Sequence, residues 1–199
     1  MKKDKLYYIK EVNKVKIKNP KLWHKMPGGI IEGENVLYSR KYLKDVENLY
    51  KSKEISNEGK NTLMYEVYSY SEGDETQYGN LFWGLTILHP VYIEKECNMT
   101  KGHFHENRNC VEYYFGLEGE GLLLLMDEMG QMSAEKVLPG SLHYIAGNFA
   151  HRLVNIGEIP LKIGACWPTT AGHDYRAVEE MPFPYRIYKN NGKIELVER

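Results

Sequence analysis

The chain has 199 residues, of which 42% are hydrophobic and 27% charged, and 26 basic against 27 acidic side chains give a formal net charge of −1. This balance is ordinary for a globular protein and does not favour nucleic acid or an anionic membrane surface as a partner. No apolar run reaches the length of a membrane span, and the charged N-terminus lacks the apolar segment of a signal peptide. Three irregularly spaced cysteines, Cys97, Cys110 and Cys166, favour reduced thiols, so we expect a cytoplasmic protein.

The length favours a single domain over residues 1–199, with an N-terminal extension over residues 1–60 and a β-barrel with a C-terminal hairpin over residues 61–199. One short helix is predicted in the extension, where Ser39 is a typical N-cap residue. An apolar face follows at helical spacing, made of Leu43, Val46, Leu49 and Tyr50.

From about Thr62 onward the sequence predicts short strands that are bounded by Gly, Pro, Asn or Asp. These strands cover residues 62–70, 80–88, 91–97, 110–117, 121–127, 141–146, 151–156 and 161–167. Asp127 to Gly130 is predicted to be a hairpin connection, and Asn191-Gly192 is typical of a type I′ turn between two further strands. Many short strands at regular spacing favour an all-β sandwich or barrel, and a double-sheet jelly roll accommodates this number.

One cluster of polar residues indicates metal chemistry. His103 and His105 are two residues apart, so in a strand both imidazoles point to the same face and can face a barrel interior. Glu112 follows seven residues after His105, where the next strand would return a side chain, and His151 opens a later strand. Three imidazoles and a carboxylate suit iron, manganese, nickel or zinc better than calcium or magnesium. The other histidines in the strand region or before it are interpreted as ordinary surface or core residues: His24, His89 and His143.

These residues resemble the two motifs of the cupin superfamily. The first motif is matched by His103, His105, Glu112 and Gly119, and the second by Gly140, His151 and Asn155. The interval between His105 and Glu112 is longer than the general cupin pattern and is similar to that of cupin-type phosphoglucose isomerases. Further motifs of that family are resembled, in the same order along the chain, by G-I-I-E-G (29–33), Y-E-V-Y (65–68), A-H-R-x-V-N (150–155) and A-G-H-D-Y (171–175). The resemblance implies a cupin double-stranded β-helix, that is, a jelly-roll barrel.

The resemblance also implies an activity and a set of residue roles. It implies a metal-dependent aldose–ketose isomerase of glycolysis and gluconeogenesis that interconverts glucose 6-phosphate and fructose 6-phosphate. The implied metal ligands are His103, His105, Glu112 and His151, and Glu112 is also the implied proton-transfer residue. The implied contacts with the sugar phosphate are Tyr65, Thr86, Thr100, Gly102, His173 and Tyr175. Trp167 stands where the family often has a tyrosine, so the ring is kept and the hydroxyl is lost. One divalent transition metal per chain is implied, iron(II) ahead of manganese, nickel or zinc, and so is a homodimer.

The sequence leaves the mechanism and two other functions open. One route passes through a cis-enediolate with Glu112 as base, and the other is a metal-assisted hydride shift that leaves Glu112 as ligand or orienter. The same four ligands would also suit an iron(II) cupin dioxygenase, and a non-enzymatic sugar-phosphate-binding cupin would keep the same fold. No Walker loop, helix-turn-helix segment or basic stripe indicates a nucleotide or nucleic-acid site.

Overall fold

The computed structural model describes residues 19–26, 29–52 and 59–199. Its strands are β1 (Leu22–His24), β2 (Ile31–Gly33), β3 (Leu37–Tyr42), β4 (Leu63–Ser71), β5 (Leu81–Leu88), β6 (Tyr92–Ile93), β7 (Glu96–Cys97), β8 (Glu112–Glu118), β9 (Gly121–Met126), β10 (Met132–Val137), β11 (Leu142–Ile145), β12 (Ala150–Asn155), β13 (Leu161–Pro168), β14 (Tyr185–Asn190) and β15 (Lys193–Glu198). Its α-helices are α1 (Leu43–Val46) and α2 (Tyr175–Glu180), and short 3₁₀ helices cover Glu47–Leu49 and Gly59–Asn61. Among the described residues, no helix has the length and hydrophobicity that a membrane crossing requires.

Two antiparallel sheets build the barrel. The larger has the order β11-β8-β13-β5-β4-β3 and the smaller has the order β10-β9-β12. An extended segment, residues 99–104, continues the smaller sheet beside β12 through bridges from Met99 to Val154 and from His103 to His151. Apolar side chains of both sheets share one core, among them Leu88, Ile163, Leu123 and Leu153. This arrangement is the jelly-roll barrel that the cupin resemblance implies, and it confirms the all-β prediction.

Two buried asparagines hold the strands that carry the site. The Asn155 amide donates to the Leu88 carbonyl at 2.8 Å, which ties β12 to β5, and to the Ile159 carbonyl at 2.9 Å. The Asn98 amide donates to the carbonyls of Met64 and His89 at 2.7 and 2.8 Å. Each such bond contributes about 0.5–1.5 kcal/mol, and leaving a buried partner unsatisfied costs more. The two asparagines therefore fix the start of the segment before His103 and the end of β12.

The predicted helix begins later than its predicted cap. Ser39 does not cap it, because Ser39 lies in β3 opposite Val67 in an antiparallel ladder. Helix α1 begins after Tyr42, whose N–H donates to the Asp45 carboxylate at 2.8 Å. The predicted apolar face is buried as expected: Leu43, Val46, Leu49 and Tyr50.

The predicted strand over residues 91–97 is wrong, because it is two short strands joined by a tight turn. Glu94 and Lys95 adopt φ values of 48° and 74° and connect β6 to β7. A turn of this kind is usually marked by glycine or asparagine, and neither residue is present at positions 94 and 95. At Asn191-Gly192 the signal is present and the hairpin forms, with φ values of 49° and 76° between β14 and β15. The signal-peptide prediction concerns residues 1–18, which lie outside the described residues.

Candidate metal centre and its cavity

Three separate segments bring the four predicted ligands together. His103 lies on the extended segment and His105 directly follows it, and His103 exchanges backbone hydrogen bonds with His151 of β12 at 3.3 and 3.0 Å. Glu112 is the first residue of β8, in the opposite sheet. Phe104 alternates with the two histidines and is buried in the core, which turns both imidazoles the other way.

The four side chains form one compact group. Their ligand atoms all lie within 4.8 Å of one another. Glu112 Oε2 lies 3.2 Å from His105 Nε2 and 3.2 Å from His151 Nε2. The rings of His103 and His151 meet edge to face with their centroids 4.4 Å apart. Among the described residues, this is the group of histidine and carboxylate side chains whose spacing suits a metal ion.

The polar atoms of this group are only partly satisfied by the protein. His103 Nε2 and both ring nitrogens of His151 are buried and have no hydrogen-bond partner among the described residues. A buried polar group without a partner costs about 1–3 kcal/mol, so three in one place need an explanation. His105 Nδ1 bonds to the Cys110 carbonyl at 2.8 Å, which fixes the tautomer and turns Nε2 toward the group, as carbonyl partners do for metal-binding histidines. The donor set and its orphaned nitrogens therefore fit a divalent transition metal.

At His103 and Glu112, the electrostatics favour the protonation states that metal binding needs. Burial lowers the pKa of His103 well below its ordinary value, and the neighbouring His151, His173 and His105 lower it further. Burial opposes ionisation of Glu112, but the adjacent imidazoles of His105 and His151 outweigh it, so the pKa of Glu112 lies below its ordinary value. At His105, burial opposes protonation, but the bonds to Glu112 and to the Cys110 carbonyl outweigh it and raise the pKa. Neutral imidazole and ionised carboxylate are the forms that bind metals.

The metal group opens onto a cavity of about 240 Å³ inside the barrel. His103, Glu112 and His151 line it, and His105 lies behind them. All the residues predicted to contact the sugar phosphate also line it: Tyr65, Thr86, Thr100, Gly102, His173 and Tyr175. A more open concavity of about 710 Å³ lies beside the C-terminal hairpin, but it contains none of these residues. The smaller cavity is the candidate active site because buried ligands and hydroxyl donors converge there.

Comparison with known proteins decides the family. A family model described as "Glucose-6-phosphate isomerase (GPI)" matches residues 40–196. The chain is 34% identical over 173 residues to a glucose-6-phosphate isomerase of Pyrococcus horikoshii, covering 85% of this chain and 89% of the relative. It is 35% identical over 174 residues to that of Pyrococcus furiosus, with the same coverage. The chain belongs to the glucose-6-phosphate isomerase family. Among solved structures, it is similar to oxalate decarboxylase from Bacillus subtilis with a TM-score of 0.44 and 17% identity, over 55% of this chain and 26% of the other.

In this family member, helix α2 and its cap hold two aromatic side chains over His103. Asp174 accepts a hydrogen bond from the Ala177 N–H at 3.0 Å and pairs with Arg108 at 2.8 Å. The flanking His173 and Tyr175 rings are stacked with an interplanar angle of 7°. The His173 ring centroid lies 4.4 Å from that of His103. Burial lowers the pKa of His173, so its imidazole is neutral at pH 7.

The hydroxyl residues lie on separate strands around the cavity. Tyr65 is a buried residue of β4, and burial raises its pKa to about 12, so its hydroxyl stays protonated. Thr86 lies in the middle of β5, opposite Val67. Thr100 joins the extended segment to β12, because its Oγ1 accepts from the Leu153 N–H at 3.0 Å and its own N–H donates to the Leu153 carbonyl at 2.9 Å. All three hydroxyls can still donate to an oxyanion.

The cavity also has lining residues that the sequence did not assign to the site, among them Ser39, Lys41 and Tyr114. Ser39 and Lys41 alternate along β3, and Lys41 pairs with Tyr65 in the sheet register. Tyr114 lies two residues after Glu112 on β8, and its ring meets His151 edge to face with centroids 5.7 Å apart. The period of two in a strand would have indicated Tyr114 once Glu112 was placed. Trp167 also lines the cavity, stacked on Phe82 with centroids 5.1 Å apart.

Proposed function

We propose that this chain interconverts glucose 6-phosphate and fructose 6-phosphate as a metal-dependent aldose–ketose isomerase. The observation that carries the proposal is that a metal-binding group and a set of hydroxyl and backbone donors line the same small cavity. These two kinds of group suit the two ends of a sugar phosphate. A metal ion can polarise the carbonyl end, and hydroxyl and N–H groups can donate hydrogen bonds to the phosphate. Membership of the glucose-6-phosphate isomerase family supports this pair of sugars over others.

The metal ligands in this proposal are His103, His105, Glu112 and His151. Imidazole with carboxylate suits iron, manganese, nickel and zinc, and iron(II) is our first choice. When bound, such an ion supplies Lewis acidity toward the sugar oxygens on C1 and C2. The Cys110 carbonyl holds His105 in the right tautomer, and the unpartnered nitrogens of His103 and His151 leave those residues free to coordinate.

Glu112 has the second role of moving a proton between C1 and C2. The adjacent imidazoles of His105 and His151 lower the pKa of its carboxylate against the effect of burial, so the ionised form can accept a proton from substrate. It lines the cavity in which C1 and C2 of a bound sugar would lie. A hydride shift is the alternative route, and there Glu112 would act only as ligand and orienter.

The phosphate end is assigned to the hydroxyls of Tyr65, Thr86 and Thr100 and to the backbone of Gly102. Hydroxyl and N–H donors can satisfy a phosphate dianion without an arginine fork. His173 and Tyr175 close the opposite wall above His103 and are assigned to the sugar hydroxyls. These assignments rest on the shared cavity and on the family resemblance.

The test is an assay of fructose 6-phosphate conversion coupled to glucose 6-phosphate detection. Chelated protein, verified as metal-free by elemental analysis, should be inactive, and one equivalent of iron(II), manganese(II), nickel(II) or zinc(II) should restore turnover. Full activity without metal would refute the proposal. Oxygen uptake by the iron(II) form during turnover would instead support a cupin dioxygenase.

The outer face of the larger sheet supports a homodimer. Four aromatic or aliphatic side chains lie on the edge strand β11 and on its neighbour β8, and each is at least 36% exposed: Tyr113, Phe115, Leu142 and Tyr144. Cross-strand pairing places Leu142 beside Phe115 and Tyr144 beside Tyr113, so the four form one apolar patch. Apolar patches of this kind at an open sheet edge commonly mark subunit contacts. Light scattering should give twice the chain mass, and Tyr144→Glu should shift it toward the monomer.

A further inference from the structure

Arg152 is a buried cation that the proposed chemistry does not use. It follows His151 in β12 and faces the other side of the strand, where it is 3% exposed. Its Nη1 contacts Met99 Sδ at 3.5 Å, its Nη2 donates to the Lys101 carbonyl at 2.5 Å, and its guanidinium lies 4.5 Å from the Phe183 ring centroid. All three contacts are with neutral groups.

This arginine differs from the partly buried Arg186. Arg186 pairs with Glu96 at 2.7 Å, whereas Arg152 forms no ion pair with any described carboxylate. Its Nε is also buried without a hydrogen-bond partner. A buried charge is normally paired, because removing it from water without a counter-charge is costly. A negative charge near Arg152 would therefore be strongly favoured.

The backbone beside Arg152 bulges toward the cavity. Between its two bridges to β12, the segment from Met99 to His103 has one residue more than the opposing stretch from Val154 to His151. Gly102 takes up the extra residue with a φ of 73°. A Cβ at Gly102 would lie 3.0 Å from Phe183 and 3.1 Å from Arg152, so both the conformation and the packing require glycine.

The hydrogen bond from Arg152 decides which way one peptide group points. The Lys101 carbonyl and the Gly102 N–H belong to the same planar trans peptide, so they point in opposite directions. Arg152 binds the carbonyl on the outer side of the strand. The Gly102 N–H is thereby directed to the other side, where Gly102 lines the cavity, and it has no hydrogen-bond acceptor among the described residues.

We propose that Arg152 is a positioning residue that turns the Lys101–Gly102 peptide so that the Gly102 N–H donates to the substrate phosphate, with the guanidinium charge behind it. The inference rests on the proposed function, because it needs a phosphorylated ligand in this cavity. The bulge supplies the N–H donor, Gly102 permits its conformation, and the arginine sets its direction. The phosphate in turn provides the negative charge that Arg152 lacks.

The first test uses wild-type zinc-loaded protein labelled with ¹⁵N-glycine. Glucitol 6-phosphate, which has no carbonyl to isomerise, should move the Gly102 amide proton downfield, and glucitol should not. A Gly102 resonance that is unchanged at saturating glucitol 6-phosphate would overturn the inference. This measurement needs no variant and no activity, so it is separate from the isomerase assay, whose failure in wild type would refute the proposed function instead.

The second test compares Arg152→Met, Arg152→Lys and the exposed control Arg176→Met, which removes the same charge from the surface of α2. In Arg152→Met, the preference for glucitol 6-phosphate over glucitol should fall roughly 10-fold to 100-fold, the range for one hydrogen bond to a charged group. Metal content and glucitol affinity should stay at wild-type values, and Arg152→Lys should recover part of the loss. An equal loss of affinity for glucitol 6-phosphate and glucitol would show a purely structural role and overturn the inference. An unchanged preference for the phosphorylated ligand would overturn it as well. If Arg152→Met fails to fold, the ligand preference of Arg152→Lys and the titration of the Gly102 amide still test the inference.

Discussion

In two regions of the described barrel a buried histidine lies against a glutamate, and the regions differ in what satisfies the imidazole. In β11, His143 Nδ1 lies 2.6 Å from Glu135 and its Nε2 lies 2.8 Å from Ser141 Oγ, so both ring nitrogens have partners. In the cavity, Glu112 Oε2 lies 3.2 Å from both His105 and His151, and both ring nitrogens of His151 lack a hydrogen bond. Both histidines are buried.

The difference separates a structural histidine from a proposed metal ligand. The His143 side chain completes its hydrogen bonds within the protein and needs nothing more. The cavity group has an excess of lone pairs that face one another, which only a proton or a cation can satisfy. Short distance therefore does not identify function, since the shorter pair is the structural one.

The largest expected effect comes from removing a ligand. His151→Ala should lower metal affinity by more than about 100-fold, because loss of even an outer partner of a metal ligand costs 10-fold to 100-fold. Turnover should fall with metal content, as measured by elemental analysis and the coupled assay on the same sample. A variant that retains one metal per chain would place the site elsewhere.

Glu112→Gln should have the next largest effect, because it keeps the shape of the side chain and removes the base. Turnover should fall by roughly 10² to 10⁴, the usual contribution of a general base. Metal content and sugar-phosphate affinity must be measured alongside, since Glu112 is also a proposed ligand. Near-normal turnover with metal bound would favour the hydride shift, and lost metal with lost turnover would show only ligation.

Thr86→Val should produce a smaller and different change. A hydroxyl that binds a phosphate remote from the reacting carbons gives mostly uniform binding, so KM should rise roughly 5-fold to 20-fold with little change in kcat. The exposed Thr76→Val serves as control, because its hydroxyl bonds to Asp74 outside the cavity. A drop in kcat at constant KM would contradict a phosphate role.

His143→Gln should have the smallest effect on function. It tests the other half of the comparison, the histidine that is proposed to be purely structural. Loss of the bond to Glu135 or Ser141 should lower the free energy of unfolding by about 1–2 kcal/mol, measured by urea denaturation. Metal content and turnover should stay within twofold of wild type. A large loss of metal in this variant would show that a full set of hydrogen-bond partners does not distinguish a structural histidine from a metal ligand.

The sequence predicted the barrel, whose strand signals are local, and it singled out four candidate ligands whose ligand atoms lie within 4.8 Å of one another in the structure. Strands β8, β9 and β12 have apolar residues between turn residues. His103 and His105 are two residues apart, so the period of an extended chain predicts that they share a face. The strand β10 was not predicted as a segment, because its residues are mostly exposed and show no clean alternation.

Other features depend on contacts between distant parts of the chain. Ser39 is a good cap residue by type, but pairing with β4 draws it into a strand, which also places Lys41 at the cavity. The partner of a ring nitrogen can also come from another strand, as Glu66 of β4 does for His89 Nε2 at 3.0 Å. The proposed role of Arg152 likewise depends on the bulge at Gly102, and a glycine in the sequence does not by itself predict a bulge.

The ligands do not all belong to one sheet, and this has a thermodynamic consequence. Three histidines belong to β12 and its neighbouring segment, whereas Glu112 belongs to β8 of the larger sheet. An ion held by all four would act as a reversible crosslink between the two walls of the barrel. It binds the folded chain in preference to the unfolded one, so at a free concentration of 100 times Kd it adds about 2.7 kcal/mol to the unfolding free energy. The supply of free metal would thus govern how long each molecule survives heating or proteolysis.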